Sequence, residues 1–333
     1  MSQTPLRTLV TGGAGFIGSH LTRRLLALGH RVRVVDNLCT GFRANLDPVL
    51  ADIEFIEGDL RDPEVCRRAA EGIDLVFHVA ALPSVPRSLQ DPIGSHESNV
   101  SATLHLLEAC RRSGVTRVVY SSSSSVYGDT AVLPKVEDVE PLPRSPYATS
   151  KLAGEQYVLA YARGGLVEGV ALRYFNVFGP RQDPNGPYAA VIPLFLRAAL
   201  HGTTVPIFGD GGQTRDFTYI DNVIEANMLA AMQPAERASG WVVNCGAGTR
   251  TSLRELVTLA EEVSGRPIAV EMRPPRAGDV RDSLASLARA RQVLGYEPSV
   301  SLPEGLRRTW EWTLQTSDAA AVSTRADARV SVG

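Results

Sequence analysis

The sequence predicts an α/β chain in which a doubly wound parallel sheet carries a second, smaller α/β lobe. Three observations predict it. Up to residue 175, short β-branched runs alternate with helical stretches, the pattern of parallel strands joined by crossover helices. The first run ends in a glycine-rich turn, Thr11-Gly-Gly-Ala-Gly-Phe-Ile-Gly18, that opens a helix and marks the sheet as Rossmann-type. After Asn176 the alternation gives way to Pro- and Gly-rich loops with shorter helices, the composition of a less regular lobe.

In chain order the strands are predicted at Arg7–Val10, Arg31–Val35, Ile53–Glu57, Leu75–Val79, Arg117–Ser121 and Gly169–Leu172. Helices fall between them near Gly15–Leu28, Pro63–Ala70, Pro92–Ser113 and Pro146–Ala162. A returning apolar strand, Trp241–Asn244, belongs with the main sheet. The dinucleotide-binding domain is therefore expected over residues 1–175, with 217–245 returning to it. The second lobe takes 176–216 and 246–315. The tail, 316–333, is Ala, Ser and Thr with little apolar content and is expected to be disordered.

Composition removes several function classes. At 333 residues and 44% hydrophobic, the chain can bury a large core without disulfides. Its 34 basic and 36 acidic residues leave a formal charge of −2, which excludes a globally basic nucleic-acid binder and a polybasic membrane protein. No apolar run approaches the roughly 20 residues of a spanning helix. Met1 to Leu6 is too short and polar for a signal peptide. Cys39, Cys66, Cys110 and Cys245 show no CxxC spacing and read as buried thiols of a reducing compartment, so the chain is expected to be cytoplasmic. Its six histidines show no metal-ligand spacing. Of the basic residues only Lys135 and Lys151 are lysines, so a retained Lys marks chemistry that a guanidinium cannot perform.

The turn after the first strand has glycines at 12, 15 and 18, for a tight turn, close approach of a pyrophosphate, and helix–strand packing. Phosphates would lie at the helix N-terminus, where unpaired N–H groups point at them. The second strand ends in Asp36, eighteen residues after Gly18, where a carboxylate binds both adenosine ribose hydroxyls and repels a 2′-phosphate. NAD is thus expected over NADP. Gly58-Asp59-Leu60 follows the third strand, placed to meet the adenine edge.

Ser145-Pro-Tyr147-Ala-Thr-Ser-Lys151 opens a helix with Ser145 as N-cap, and places Tyr147 and Lys151 on one face. An ammonium beside a phenol stabilises phenolate and lowers its pKa, making Tyr147 a usable base. A surface helix start with a solvated Lys and a packing Tyr would read alike from these residues alone. The run Ser121–Ser125-Val-Tyr-Gly128 weighs against it: it follows the fifth strand, at the sheet end where ligands collect.

This combination of TGGAGFIG, an acidic second-strand end, SSSSSVYG and YxxxK resembles the extended short-chain dehydrogenase/reductase family over roughly residues 5–315. Within it the chain is most similar to nucleotide-sugar 4-epimerases, particularly those acting on UDP-N-acetylhexosamines. The resemblance implies Ser123, Tyr147 and Lys151 as the catalytic set. It implies NAD contacts from Gly12, Gly15, Phe16, Ile17, Gly18, Asp36, Asn37, Asp59, Leu60, Ala80, Asn99 and Phe175, besides Tyr147 and Lys151. It implies UDP-sugar contacts from Ser84, Ser123, Tyr147, Asn176, Ala190, Val191, Ile207, Phe208, Arg215, Arg276, Asp279 and Ser283. Pro83 departs from the pattern, since some galactose epimerases carry a cofactor-contacting Lys there.

Dehydratases resembling this chain place Asp and Glu where Ser124 and Ser125 stand, because eliminating water needs an acid and a base. With hydroxyls there, the resemblance implies 4-epimerisation through a transient 4-keto sugar. UDP-N-acetylglucosamine/UDP-N-acetylgalactosamine and UDP-glucose/UDP-galactose are the implied pairs. A UDP-glucuronate or UDP-N-acetylglucosaminuronate epimerase, another nucleotide-sugar dehydrogenase and a non-catalytic NAD sensor are the alternatives. In the epimerases that the chain resembles, the position of Ser283 lines the wall beside the carbon-2 substituent, so the resemblance implies that a small residue there admits an acetamido group and a Tyr excludes it; a helix cap for Leu284–Leu294 is its plainer role. The helices Pro92–Ser113 and Pro146–Ala162, with Leu104, Leu107, Val158 and Tyr161 on their outer faces, imply a homodimer through a four-helix bundle. No nucleic acid or membrane partner is expected.

Overall fold

The computed structural model describes residues 5–184, 190–275 and 281–330, with side chains to 317. Each expected strand forms, slightly longer at its C-terminal end in most cases: β1 (Arg7–Thr11), β2 (Arg31–Asp36), β3 (Ile53–Glu57), β4 (Leu75–His78), β5 (Arg117–Ser123) and β6 (Glu168–Tyr174). Short strands follow at β7 (Val177–Phe178), β8 (Val205–Phe208), β9 (Thr214–Arg215) and β10 (Thr218–Tyr219), then β11 (Trp241–Cys245), β12 (Thr251–Ser252) and β13 (Val270–Arg273). The main sheet has the order β11-β6-β5-β4-β1-β2-β3, and every neighbouring pair is parallel. Parallel strands covered on both faces need apolar side chains on both, and β4 is buried at all four positions.

The helices are α1 (Phe16–Ala27), α2 (Pro63–Ala70), α3 (Val85–Gln90), α4 (Pro92–His96), α5 (Ala102–Ser113), α6 (Pro146–Arg163), α7 (Val191–His201), α8 (Ile220–Met232), α9 (Ala235–Ala238), α10 (Leu253–Ser264) and α11 (Leu302–Val330). One apolar layer joins α1 and α8 to the sheet through Leu21, Leu25, Val34, Phe77, Leu172 and Val223. The other joins α2, α5 and α6 through Val65, Leu106, Tyr120 and Val158. The chain lays down β1, β2 and β3 outward, then returns to place β4 beside β1. That reversal opens a crevice between the C-terminal ends of β1 and β4, where open α/β sheets bind ligands.

The remaining strands pair outside this sheet, β7 with β10, β8 with β13, and β9 with β12. An isolated bridge, Thr214 to Asp282, adds the segment bearing Ser283 to the same edge as Arg215.

Three expectations are corrected here. The stretch Pro92–Ser113 is not one regular helix: a π-helical turn, Glu97–Ser101, joins α4 to α5. Cys39 is exposed, because it lies in the loop beyond β2, while the other three thiols are buried. Leu107 and Val158 face the sheet at 1% and 0% exposure, so they belong to the core and not to an outer face. No helix among the described residues is long and apolar enough to cross a membrane.

Candidate active site

Two backbones meet where the sheet order reverses. Gly12 follows β1 at φ +67°, and a Cβ there would lie 2.8–2.9 Å from the backbone of Ala80, just beyond β4. Only glycine fits. Gly18, one turn into α1, packs on the same turn: its Cβ would fall 2.1 Å from the Gly12 carbonyl oxygen. Gly15 is the N-cap of α1 and no side chain caps that end. The first-turn N–H groups, at Phe16, Ile17 and Gly18, have no intrahelical acceptor and suit a pyrophosphate.

Asp36 ends β2 with 8% exposure, its Oδ2 accepting the Ala14 N–H at 2.9 Å and its Oδ1 the Leu38 N–H at 2.8 Å. Burial pushes this carboxyl upward, and the two N–H donors oppose that. Asn37 donates to Asp59 at 2.9 Å, and the Arg61 fork grips the same carboxylate at 2.7 and 3.0 Å. That grip holds Asp59 down at about 2. Sequence spacing did not reveal Arg61 as its partner. Leu60 is buried beside it at 6% exposure. Two further residues expected at the cofactor make contacts within the protein. Phe175 has no exposed surface and stands 6.2 Å from the Tyr127 ring. Asn99, in the π turn, accepts the Leu82 N–H at 2.8 Å and donates to Ser150 Oγ at 2.9 Å.

Ser145 caps α6 by accepting the Ala148 N–H at 3.1 Å, with Pro146 in the first turn. That start sets Tyr147 and Lys151 one turn apart at the crevice. Lys151 is 4% exposed, with Nζ 4.8 Å above the Tyr120 ring. Burial drags its ammonium down to about 7. Burial also raises the Tyr147 phenol, while a hydrogen bond from Ser123 pulls it back. Burial thus opposes, in both groups, the lowering expected from Lys151, and the hydrogen bond from Ser123 assists the phenol. Ser123 Oγ also accepts the Ser125 N–H at 3.2 Å and lies 2.9 Å from Ser125 Oγ.

Ser122 points the other way, donating to Glu155 at 2.7 Å. Glu155 forms a fully buried two-pronged pair with Arg173, at 2.7 and 3.0 Å, and the guanidinium lies 4.6 Å over the Tyr127 ring. Tyr127 in turn donates to Asn244 at 2.7 Å. Sequence reading missed this support. Its one signal was Glu155, a carboxylate one helical turn beyond Lys151 on the same face.

The expected substrate contacts are spread over four segments. Ser84 caps α3 by accepting the Arg87 N–H at 3.1 Å. Asn176, at φ +26°, donates to the Asp216 carbonyl at 3.1 Å. Ala190 is exposed and Val191 opens α7; Ile207 is buried in β8, with Phe208 partly buried beside it. Arg215 donates to the carbonyls of Thr214 and Arg281, each at 3.0 Å, which ties it to the Ser283 segment. Ser283 is 9% exposed, its N–H donates to Thr214 at 3.1 Å, and its Oγ has no protein partner. It caps no helix: the chain is extended there, pinned by Asp216, whose carboxylate accepts the Ala285 N–H at 3.0 Å. Arg276 and Asp279 lie outside the described residues.

Residues 8–246 match the model of the NAD dependent epimerase/dehydratase family. The chain belongs to that family. A UDP-glucose 4-epimerase of Mycolicibacterium smegmatis is 43% identical over 311 residues, 92% of this chain and 98% of the relative. The structure of a Thermotoga maritima UDP-glucose 4-epimerase with UDP-glucose superposes at TM-score 0.88, with 40% identity over 93% of this chain and 99% of the other. A UDP-N-acetylglucosamine 4-epimerase from Methanobrevibacter ruminantium, in complex with UDP-N-acetylmuramic acid, gives TM-score 0.88 and 38% identity over 94% and 100%. NAD is the cofactor of this family, and the residues present fit it: the Cβ-free cradle at Gly12, the uncapped α1 start and the Asp36 carboxylate each suit one part of a dinucleotide.

Proposed function

We propose that this epimerase inverts carbon 4 of a UDP-hexose, and that UDP-N-acetylglucosamine and UDP-N-acetylgalactosamine are its preferred pair, with UDP-glucose and UDP-galactose also accepted. The observation that carries 4-epimerisation is the composition of the crevice. Tyr147, Lys151 and Ser123 converge there, and Ser124 and Ser125 add only hydroxyls. When bound, NAD supplies a reversible hydride acceptor at carbon 4.

The chain's own residues supply the rest. Tyr147 takes the proton of the 4-hydroxyl and returns it to the same oxygen. Ser123 hydrogen-bonds that oxygen and the phenol together. Lys151 would hold the nicotinamide ribose and, when protonated, supply a cation there. Since one proton leaves and returns, no second acid is required, and none of the neighbouring serines is one. Arg215 holds the diphosphate, a task suited to a guanidinium fork.

Ser283 supports the N-acetyl preference: it is small, buried and keeps a hydroxyl without a protein partner. The test is a panel of UDP-glucose, UDP-N-acetylglucosamine and UDP-glucuronate, each incubated alone, with epimers resolved by proton NMR. Fastest turnover of the acetylated sugar is expected, and Ser283→Tyr should lose it while keeping UDP-glucose. Turnover of UDP-glucuronate alone would replace this reading by the uronate one.

The assembly that suits this reading is a homodimer through α4, α5 and α6. Ile93 at 71% exposure and Tyr157 at 38% are large apolar groups left uncovered on those helices.

A further inference from the structure

A histidine stands in the otherwise apolar strand β4. His78 is 1% exposed and lies between two threonine hydroxyls, with its Nδ1 2.8 Å from Thr11 Oγ1 and its Nε2 2.9 Å from Thr103 Oγ1. The remaining bonds fix every proton. Thr11 Oγ1 already accepts the N–H groups of Val79 and Ala80, both at 3.1 Å, which uses the two acceptor sites of a hydroxyl. Its own proton must therefore go to His78, so Nδ1 is bare and the ring proton is on Nε2. Thr103 agrees: it donates to the Asn99 carbonyl at 2.7 Å and so accepts from Nε2–H.

The line continues to the catalytic helix. The Asn99 amide holds Leu82, just past β4, and donates to Ser150 Oγ at 2.9 Å; Ser150 donates to the Tyr147 carbonyl at 2.8 Å. Thr11 and Gly12 form the cofactor turn, and Tyr147 and Lys151 carry the chemistry. The charged or titratable groups that face the imidazole are Lys151 and Tyr120, the latter with its ring 5.5 Å away. A proton added at Nδ1 would reverse the Thr11 bond and set a cation near Lys151.

We propose that His78 is a positioning residue, a neutral imidazole with its proton on Nε2 that fixes the spacing between the cofactor turn and the helix bearing Tyr147 and Lys151. Its effect on turnover rests on the role given to Tyr147 above; the proton assignment does not.

Nitrogen-15 NMR of the histidine-labelled wild-type enzyme tests the assignment. His78 should show the Nε2–H form alone, unchanged between about pH 5 and pH 8, where an ordinary imidazole titrates. A proton on Nδ1, or titration in that range, overturns the proposal. Two variants then separate the two contacts. His78→Asn places an oxygen where Nδ1 was and keeps the acceptor for Thr11. It should retain bound nucleotide while kcat falls on the order of ten- to a hundredfold at unchanged KM. His78→Gln places an amide nitrogen where Nε2 was and keeps the donor to Thr103; it should release nucleotide more readily. Parallel loss of nucleotide and turnover in both variants, or no change in either, overturns the positioning role. If either variant is insoluble, the wild-type tautomer decides. Failure of the wild-type enzyme on every UDP-sugar would count against the proposed reaction and leave the tautomer and nucleotide-retention results to judge His78.

Discussion

Lys151, buried, and Tyr147, half-buried, show what the protein interior adds to a pair read off a helical wheel. The spacing of four predicted a shared face, and they share one; it also predicted an ammonium that acidifies the phenol. Burial opposes that second effect, because desolvation favours the neutral form of each group. Tyr147→Phe should lower turnover by about a hundredfold or more while nucleotide stays bound, as single-turnover assays with nucleotide quantitation would show. Lys151→Arg should also be poorly active, since a planar fork cannot fill the pocket over Tyr120 that an ammonium occupies. The positions of Gly12 in a tight turn and of Tyr147 and Lys151 one helical turn apart were legible from residue type and local spacing. Pairings such as Arg61 with Asp59, or Glu155 with Arg173, were not, because nothing in one residue's neighbourhood names its partner. The local structure at Ser283 was not legible, because the Asp216 carboxylate that accepts the Ala285 N–H is distant in sequence.

At the scale of elements, the strands were legible because fully buried parallel strands are continuous apolar runs bounded by turn residues. The π turn at Glu97–Ser101 was not, since its cause is tertiary: the Asn99 side chain is committed to Leu82 and Ser150. α6 is tied to β6 by the Glu155–Arg173 pair, with both side chains buried. Removing one partner leaves an uncompensated buried charge, so Glu155→Ala should cost about 3–5 kcal/mol in denaturant unfolding. α1 is tied to the loop after β7 by His20, whose Nε2 donates to the Pro180 carbonyl at 2.9 Å. Burial, with Arg181 and Arg23 nearby, pulls His20 down from 6.5 to about 4. The unfolded chain then binds the extra proton first. Stability from this site is full above about 6.5 and is lost as the pH falls toward about 4, at up to about 1.4 kcal/mol per pH unit. His20→Gln should flatten the acid limb of the unfolding midpoint against pH, and an identical limb would remove His20 as its cause.

Across the whole molecule, the seven-stranded sheet sets the turn after β1 against the chain just beyond β4, and the second half of the chain adds short strand pairs outside it. The exposed Ile93 should lie within a subunit interface, so Ile93→Glu should convert a dimer to a monomer in light scattering; a wild-type monomer with full activity would refute the assembly. The central claim is that the hydride taken from carbon 4 returns to carbon 4 of the same sugar within one enzyme. Its most direct test is incubation of UDP-N-acetylglucosamine, deuterated at carbon 4, with the purified enzyme and no added NAD, the product being read by mass and proton NMR. The account predicts UDP-N-acetylgalactosamine that keeps its deuterium at carbon 4. Epimer formed with the label lost to water, or deuterium released on free NADH, would contradict it.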